Sequence, residues 1–379
     1  MSSRFLTFAP GSARAGRDHW GAFPELLARL LRSRPSGILA VADRRVLALH
    51  PQVARALRAS RDPPIELIAL PGGERVKTLD AVGRILRAGQ TLPRSGLVLA
   101  IGGGSIGDVA TVAAHLLKRG VELIHVPTTL LAAVDSSVGG KGAVHAPLGG
   151  NAGQHEIKNA GGVFHYPLET WLCDDLLASL SDRQLFEGVI EAYKMAACLD
   201  ARAWAGYRAR RPSLQKVIRE ARALKRAVCA TDPYERSDRR RLLNFGHTFG
   251  HALESLTDFE LSHGEAVCLG ILCALDVGRA VGITRPYAAA ELEAAFSGLW
   301  RAVNPRATPR AALARALSKG SPSELTQLLK ADKKVDARGA LRMALVTTPG
   351  HCKVRVVEEA VWRELLRDRW RHGLQEDEP

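Results

Sequence analysis

A strand, a glycine turn and a helix follow one another in the first third of this 379-residue chain, and no other feature constrains its fold as tightly. Residues 96–101 (GLVLAI) run into Gly102-Gly103-Gly104-Ser105-Ile106-Gly107-Asp108, and ATVAAHLLK continues with helical character. The turn satisfies G-x-G-x-x-G in its strand-turn-helix context. Glycines there let backbone N–H groups approach a pyrophosphate at the helix N-terminus, where the macrodipole favours negative charge. A tight turn without a ligand is the plain alternative. Two features depart from the ordinary dinucleotide fingerprint: the turn follows the third apolar run, and no acidic residue ends a strand about 20 positions later. Ribose recognition must then come from elsewhere. Asp43, after the first run, and Glu74, after the second, stand where strand C-termini converge on one crevice.

The apolar runs at 36–42 (SGILAVA), 65–70 (IELIAL), 96–101 and 121–126 (VELIHV) alternate with segments of helical spacing such as Leu79, Val82, Ile85 and Leu86. Strands alternating with helices predict a parallel sheet. Past about residue 175 the pattern changes to long helical stretches at 182–198, 213–230, 244–256 and 263–281. A late pair, 340–347 and 352–357, reads as a hairpin through Pro349 and Gly350, before a final helix over 358–370. The expectation is an α/β N-terminal Rossmann-like domain over 1–175 and a mostly α-helical domain over 176–379.

Hydrophobic residues make up 46% of the chain and charged residues 24%, a balance that excludes a disordered tail. Six cysteines, at 173, 198, 229, 268, 273 and 352, form no CxxC pair, so a disulfide scaffold or thiolate zinc finger is not indicated and a reducing cytoplasm is expected. No apolar h-region follows a basic N-terminus and no run approaches membrane-spanning length, so neither secretion nor a membrane association is expected. The net charge of +14 suits nucleic acid or anionic metabolites equally. No basic block interleaved with aromatics supports the first, and no nucleic-acid partner is expected. Only twelve of the 53 basic residues are lysines, which directs attention to those inside motifs.

After the run at 121–126, the segment Pro127-Thr128-Thr129-Leu130-Leu131-Ala132-Ala133-Val134-Asp135-Ser136-Ser137-Val138-Gly139-Gly140-Lys141 places hydroxyls, an acid and a lysine where a cleft would form, although Asp135 could also serve as a simple helix cap. In the second half, Asn244-Phe245-Gly246-His247-Thr248-Phe249-Gly250-His251 precedes Ser262-His263-Gly264-Glu265. His247 and His251 share a helix face, and with His263 and Glu191 they could enclose a divalent cation; spacing does not say which three ligate. Thr248 stands where HExxH would have its glutamate. Lys194, at i+3 from Glu191, faces the same side.

GGGSIGD, VPTTLLAAVDSSVGGK, the E-x-x-K of EGVIEAYKM, LLNFGHTFGHALE and HGEAV together resemble the 3-dehydroquinate synthase family of sugar phosphate cyclases, and the resemblance covers most of residues 36–350. It implies an NAD-binding α/β domain, a helical metal-binding domain and a homodimer. It implies Glu191, His247 and His263 as ligands of Zn2+ or Co2+, with His251 left for proton transfer or phosphate contact. Asp43, Glu74, Lys77, Gly103, Gly104, Ser105, Ile106, Gly107, Asp108, Thr128, Thr129, Lys158 and Ser179 would bind NAD, and Asp135 and Lys141 would lie between cofactor and substrate. Lys194, Lys225, Arg240, Asn244 and one of Lys333 or Lys334 would hold the phosphorylated sugar-acid substrate, and Arg119 would reach the neighbouring subunit's substrate carboxylate. The implied reaction converts 3-deoxy-D-arabino-heptulosonate 7-phosphate to 3-dehydroquinate and phosphate.

This chain departs from the family in one segment. Gly142 replaces a usual threonine, His145 replaces an asparagine, and HAPLGGNAGQHEIKNAGGVFHYP contains an insertion, which reads as a longer loop over 142–166 at the substrate pocket. Asn151 and Asn159 are both candidates for a family asparagine that would contact the substrate, and Lys158-Asn159 fits better because GGVFHYP follows. Another sugar phosphate cyclase, of the 2-epi-5-epi-valiolone or 2-deoxy-scyllo-inosose synthase type, is the alternative. A metal-dependent polyol dehydrogenase would share the GGGS turn but needs no lysine cluster. Retention of Glu191, His247, His251, His263 and Lys194 speaks against a catalytically dead homologue.

Overall fold

The computed structural model describes residues 16–33, 35–147, 156–209, 212–331 and 340–372. Its packing divides the chain into two compact units. The first runs to Ser179, a little beyond the expected 175, and takes in Cys229–Tyr234 from the later sequence. That returning segment is held by the Tyr166 hydroxyl donating to the Pro233 carbonyl (2.8 Å) and by an edge-to-face contact of Phe164 with Tyr234.

In the first unit, β1 (Arg17–Trp20), β2 (Ile38–Asp43), β3 (Ile65–Leu70), β4 (Leu97–Gly102), β5 (Glu122–Pro127) and β8 (Glu169–Leu172) form a six-stranded sheet of order β1-β8-β5-β4-β2-β3. Every pairing in it is parallel. The connecting helices are α1 (Phe23–Arg32), α2 (Arg44–Leu49), α3 (Pro51–Ala59), α4 (Leu79–Ala88), α5 (Gly104–Leu116) and α6 (Asp174–Leu177). Leu39, Val41, Val98 and Ala100 face one apolar core, while Ile38, Ala40, Leu97, Leu99 and Ile101 face another. Both faces are covered, so the strands read as continuous apolar runs rather than alternating ones. Prolines open α1 and α3, and side chains of Asp43 and Thr78 cap α2 and α4.

Two expectations need correction here. The glycine turn follows the fourth strand, not the third, because β1 (RDHW) is too short and polar to register as an apolar run. The expected loop at 142–166 is largely an antiparallel hairpin, β6 (Lys141–Pro147) with β7 (Glu156–Phe164); residues 148–155, including Asn151, lie outside the described residues. The hairpin lies on α5. A Cβ on Gly142 would sit 2.6 Å from Thr111 Cβ and 2.9 Å from the Asp108 carbonyl, so the family's threonine has no room beside Thr111.

The second unit contains α7 (Asp182–Leu199), α8 (Ala201–Ala209), α9 (Leu214–Thr231, whose last turn belongs to the first unit), α10 (His247–Leu256), α11 (His263–Ala280), α12 (Pro286–Val303), α13 (Pro309–Ser318), α14 (Pro322–Ala331) and α15 (Glu359–His372). The hairpin β9 (Leu341–Thr348) with β10 (His351–Val357) precedes the last helix. α11 is apolar nearly all round and buried from Gly264 to Gly278, which marks it as the unit's central helix. The helix expected over 244–256 begins only at His247: residues 240–244 form a 3-10 turn, and Gly246, at φ 80°, breaks the path between them.

Candidate metal and nucleotide sites

Three elements of the second unit converge on Glu191. α7 supplies Glu191 and Lys194 one turn apart, α10 supplies His247 and His251, and α11 supplies His263. Glu191 is 1% exposed. Its Oε2 accepts from Lys194 Nζ at 2.5 Å, while its Oε1 is buried without a hydrogen-bond partner. That orphan oxygen lies 3.4 Å from His247 Nε2 and 3.6 Å from His263 Nε2. A buried carboxylate oxygen left unsatisfied between two imidazole nitrogens is what a divalent cation would satisfy, and a Glu-His-His donor set suits Zn2+ or Co2+. Both imidazoles turn their other nitrogen outward: His263 Nδ1 is 3.0 Å from Glu254 Oε1, and His247 Nδ1 is 3.4 Å from the Phe245 carbonyl. Such outer partners fix the tautomer in which Nε2 carries the lone pair.

Local sequence explains the convergence. A Cβ on Gly270 would lie 2.1 Å from the Gly246 carbonyl and 2.6 Å from the Gly250 amide nitrogen, so α10 and α11 meet through three glycines. Gly264 presses on α7, since a Cβ there would lie 2.6 Å from Glu187 Cα. Ser262 and Glu265 form a capping box that starts α11 at His263, and Arg183 holds Glu265 at 2.5 Å. In HGE, therefore, the histidine faces the site, the glycine permits close approach and the glutamate caps the helix.

The electrostatics follow from the same contacts. Burial would raise the Glu191 carboxyl, but Lys194 and His263 outweigh it and hold it at about 2. Burial would lower His263, but the carboxylates of Glu191 and Glu254 beside it raise it to about 10. His251, Glu254 and His263 form a second group with close donor atoms, yet it shares His263, whose Nδ1 is already engaged by Glu254. The geometry thus brings together Glu191, His247, His263, Lys194 and His251. Lys225 and Arg240 are also buried in this unit and Asn244 is half-buried; Lys333 and Lys334 lie outside the described residues. Glu254, Ser262 and Glu265 escaped the sequence reading. Glu254 had a signal, because His247, His251 and Glu254 fall at i, i+4 and i+7 on one helical stripe.

In the first unit, a small cleft at the C-terminal end of β4 is lined by Gly102, Gly103, Gly104, Asp108, Ser136 and Ser137. Gly103 and Gly104 have room for little more than backbone: a Cβ on either would lie 3.1 Å from Thr129 Cγ2 or Ser136 Oγ respectively. Ser105 and Gly107 lie in the first turn of α5, where Ile106 is buried and anchors it. Asp43 Oδ2 would meet a Cβ on Gly72 at 2.1 Å, which places Asp43 under the turn leading to Glu74. Ser105 Oγ donates to Glu74 Oε2 at 3.1 Å. Lys77 is 5% exposed and its ammonium meets Asp108 Oδ2 (2.8 Å), Glu74 Oε1 (3.2 Å) and Asn159 Oδ1 (2.5 Å). Burial would lower Lys77, but the two carboxylates raise it.

The remaining expected residues of this unit take different places. Thr128 is buried with its N–H on the Gly102 carbonyl; Thr129 Oγ1 accepts from the Ala132 N–H and starts the following helical turn. Asp135 is half-buried in a short π-helix (Ala132–Ser136), while Lys141 and Lys158 are exposed. Arg119 is exposed, at φ 66° just past α5. Ser179 Oγ is bonded to His50 Nε2 at 2.9 Å. His145, which the sequence marks only as a departure from the family, is 6% exposed, with Nε2 3.4 Å from Glu74 Oε1.

Residues 67–187 match the family described as 3-dehydroquinate synthase N-terminal, and residues 188–335 match 3-dehydroquinate synthase C-terminal. A 3-dehydroquinate synthase from Paracoccus denitrificans is 34% identical over 344 residues, covering 88% of this chain and 89% of that protein. One from Xylella fastidiosa is 35% identical over 366 residues, covering 90% and 92%. Among solved structures, a 2-deoxy-scyllo-inosose synthase complexed with carbaglucose-6-phosphate, NAD+ and Co2+ superposes with a TM-score of 0.75 at 24% identity, covering 94% of this chain and 97% of that one. A 2-epi-5-epi-valiolone synthase from Streptomyces hygroscopicus with NAD+ and Zn2+ bound gives 0.74 at 24% identity, covering 98% and 100%. At that identity the structural likeness speaks for the fold.

Proposed function

Because the chain belongs to the 3-dehydroquinate synthase family, we propose that it is a phosphate-eliminating cyclase, a carbon-oxygen lyase, acting on 3-deoxy-D-arabino-heptulosonate 7-phosphate. The observation that carries this reading is the Glu191 carboxylate, bonded to Lys194 through one oxygen and left open between His247 and His263 through the other. A simple alcohol dehydrogenase has no need of a buried lysine there.

When bound, NAD supplies a reversible hydride acceptor and the divalent ion a Lewis acid for the substrate hydroxyls. The rest falls to the chain. Glu191, His247 and His263 would hold the ion, and the glycine turn at Gly103–Gly107 with Asp43 and Glu74 would hold the dinucleotide. Lys194, Lys225, Arg240 and Asn244 provide donors for a phosphate and its neighbouring hydroxyls, and cationic donors stabilise negative charge as phosphate departs. His251 moves a proton between substrate and its leaving group. Asp135 and Lys141 contact substrate, and Arg119 acts across a homodimer. A reversible acceptor of that kind would be used catalytically, with no net NADH. Among the described residues no helix is long and apolar enough to cross a membrane, and a cytoplasmic location accords with a metabolite enzyme.

The test incubates metal-loaded protein and NAD with 3-deoxy-D-arabino-heptulosonate 7-phosphate, sedoheptulose 7-phosphate or glucose 6-phosphate, following phosphate release, product mass and absorbance of NADH. Release from the first alone, with no NADH accumulating, is the expected result. Release from another sugar phosphate alone would transfer the function to a different cyclase, and net NADH without phosphate would make the protein a dehydrogenase.

A further inference from the structure

Strand β5 turns Leu123 and His125 to one face of the sheet and Ile124 and Val126 to the other, since side chains alternate along a strand. Leu123 joins the core beneath α5, whereas Ile124 and Val126 join the opposite core. His125 therefore stands under α5, where an apolar side chain would serve packing alone. It is 7% exposed and lines the cleft beside Gly103, Gly104, Gly107 and Asp108. A polar ring buried there costs free energy unless its nitrogens find partners. One partner is Thr111, 1% exposed, whose Oγ1 lies 3.3 Å from His125 Nε2. The Thr111 hydroxyl has a single hydrogen, which it gives to the Gly107 carbonyl at 2.7 Å. Toward the ring it can only accept, so Nε2 carries a proton and donates. The same imidazole also packs on the glycine turn: a Cβ on Gly107 would lie 3.2 Å from its Cε1 and 3.4 Å from its Nδ1. Gly107 and Thr111 are one turn apart on α5, so a single ring braces that turn at both ends.

We infer that His125 is a positioning residue for the nucleotide site: its imidazole, packed on Gly107 and bonded through Thr111 to the Gly107 carbonyl, sets the height and tilt of the first turn of α5, whose N–H groups face the dinucleotide. The inference rests on the assignment of this turn to NAD. Helix α5 begins at Gly104, so its orphan N–H groups belong to the residues just ahead of Gly107. The Gly107 N–H closes the turn on the Gly103 carbonyl at 3.0 Å, and bracing Gly107 from below therefore fixes the donors before it. Hydrogen bonds weaken steeply as their angle closes, so a change in that tilt is felt by every N–H aimed at a pyrophosphate. Thr111 also explains Gly142. A Cβ at 142 would lie 2.6 Å from the Thr111 Cβ, so the threonine that meets His125 fills the gap between α5 and β6.

Three variants read the brace. His125→Leu keeps bulk and removes the donor, His125→Gln restores an N–H near the place of Nε2, and Thr111→Val removes the hydroxyl at nearly constant shape. NAD affinity is measured by titration calorimetry, and KM for the sugar phosphate at saturating NAD. His125→Leu is expected to weaken NAD binding about tenfold and Thr111→Val about threefold, with His125→Gln within about threefold of the parent. The double variant of His125→Leu with Thr111→Val should bind NAD no more weakly than His125→Leu alone, because both act through one contact. The sugar-phosphate KM should stay in place throughout. NAD affinity unchanged in His125→Leu and Thr111→Val would make the ring core packing and overturn the inference; should His125→Leu fail to fold, Thr111→Val decides alone. Losses that add in the double variant, or a sugar-phosphate KM that rises in step with the loss of NAD affinity, would overturn it as well. A parent protein that binds no NAD would overturn the cofactor assignment, and this with it.

Discussion

Glu191 is 1% exposed, and a carboxylate so buried is stable only while cations face it. Glu191→Gln keeps the shape but leaves Lys194 without its counter-charge, so loss of bound metal, read by elemental analysis, is expected together with a lower melting temperature. Glu254 acts one layer out. Its Oε1 holds His263 Nδ1, so Glu254→Gln should weaken Zn2+ binding by about 10- to 100-fold in a chelator competition while the protein stays folded. Protons compete with the metal at the same imidazole. His263 is raised to about 10, so at neutral pH the empty site carries a proton there that metal must displace. Calorimetry in buffers of different ionisation enthalpy should show proton release on Zn2+ binding and affinity that climbs with pH. The sign for the metal-free fold is opposite: protonated His263 stabilises it fully below 6.5, and that contribution is lost as pH rises through about 10. Glu191, held at about 2, stabilises above 4.5 and loses its contribution as pH falls through about 2.

Helices α10 and α11 bring the ligands together only because glycines let them touch. Gly270→Ala drives a methyl into the Gly246 carbonyl and should cost about 1–3 kcal/mol in chemical unfolding while also loosening metal binding. Gly298, on the exposed face of α12 with nothing near its Cβ position, is the control: Gly298→Ala should leave the metal untouched and stabilise by about 0.5–1 kcal/mol. This contrast marks what the sequence could and could not convey. The buried strands and the long helices announce themselves, since period and apolar length follow directly from being covered on both faces or on one. Glu191, His247 and His263 were legible as candidates; spacing left the choice among them and His251 open, the family resemblance named the three, and the orphan oxygen between the two imidazoles is a feature only packing creates. β1 hid in RDHW, an edge strand whose side chains serve ion pairs such as that of His19 with Glu169. The β6–β7 hairpin hid because its strands carry several glycines, of which Gly142 is dictated by the approach of α5 and not by strand propensity. Lys77 and Asn159 read as ligand contacts since nothing in their spacing, 82 positions apart, shows that they bond to each other.

At the scale of the whole chain, the charge of +14 resolves once buried cations are located. Lys194, Lys225, Arg222 and Arg240 are each less than a tenth exposed and lie in the second unit, where the proposed phosphate contacts are. Cations withdrawn from water favour anions entering the site, and the net positive charge of the chain adds to that field. Two consequences separate steering from contact. Steering is screened over a Debye length of about 10 Å at 0.1 M salt, so kcat/KM for the sugar phosphate should fall several-fold as NaCl rises to about 0.5 M. Contact with the buried cations is screened far less, so kcat at saturating substrate should stay nearly constant over the same range. Stopped assays of phosphate release across a salt series measure both. If kcat/KM held steady, the net charge would have no part in substrate capture, and its place would have to be sought on a surface that binds another polyanion. A nucleic-acid surface of that kind would betray itself by a steep dependence of duplex binding on log salt concentration.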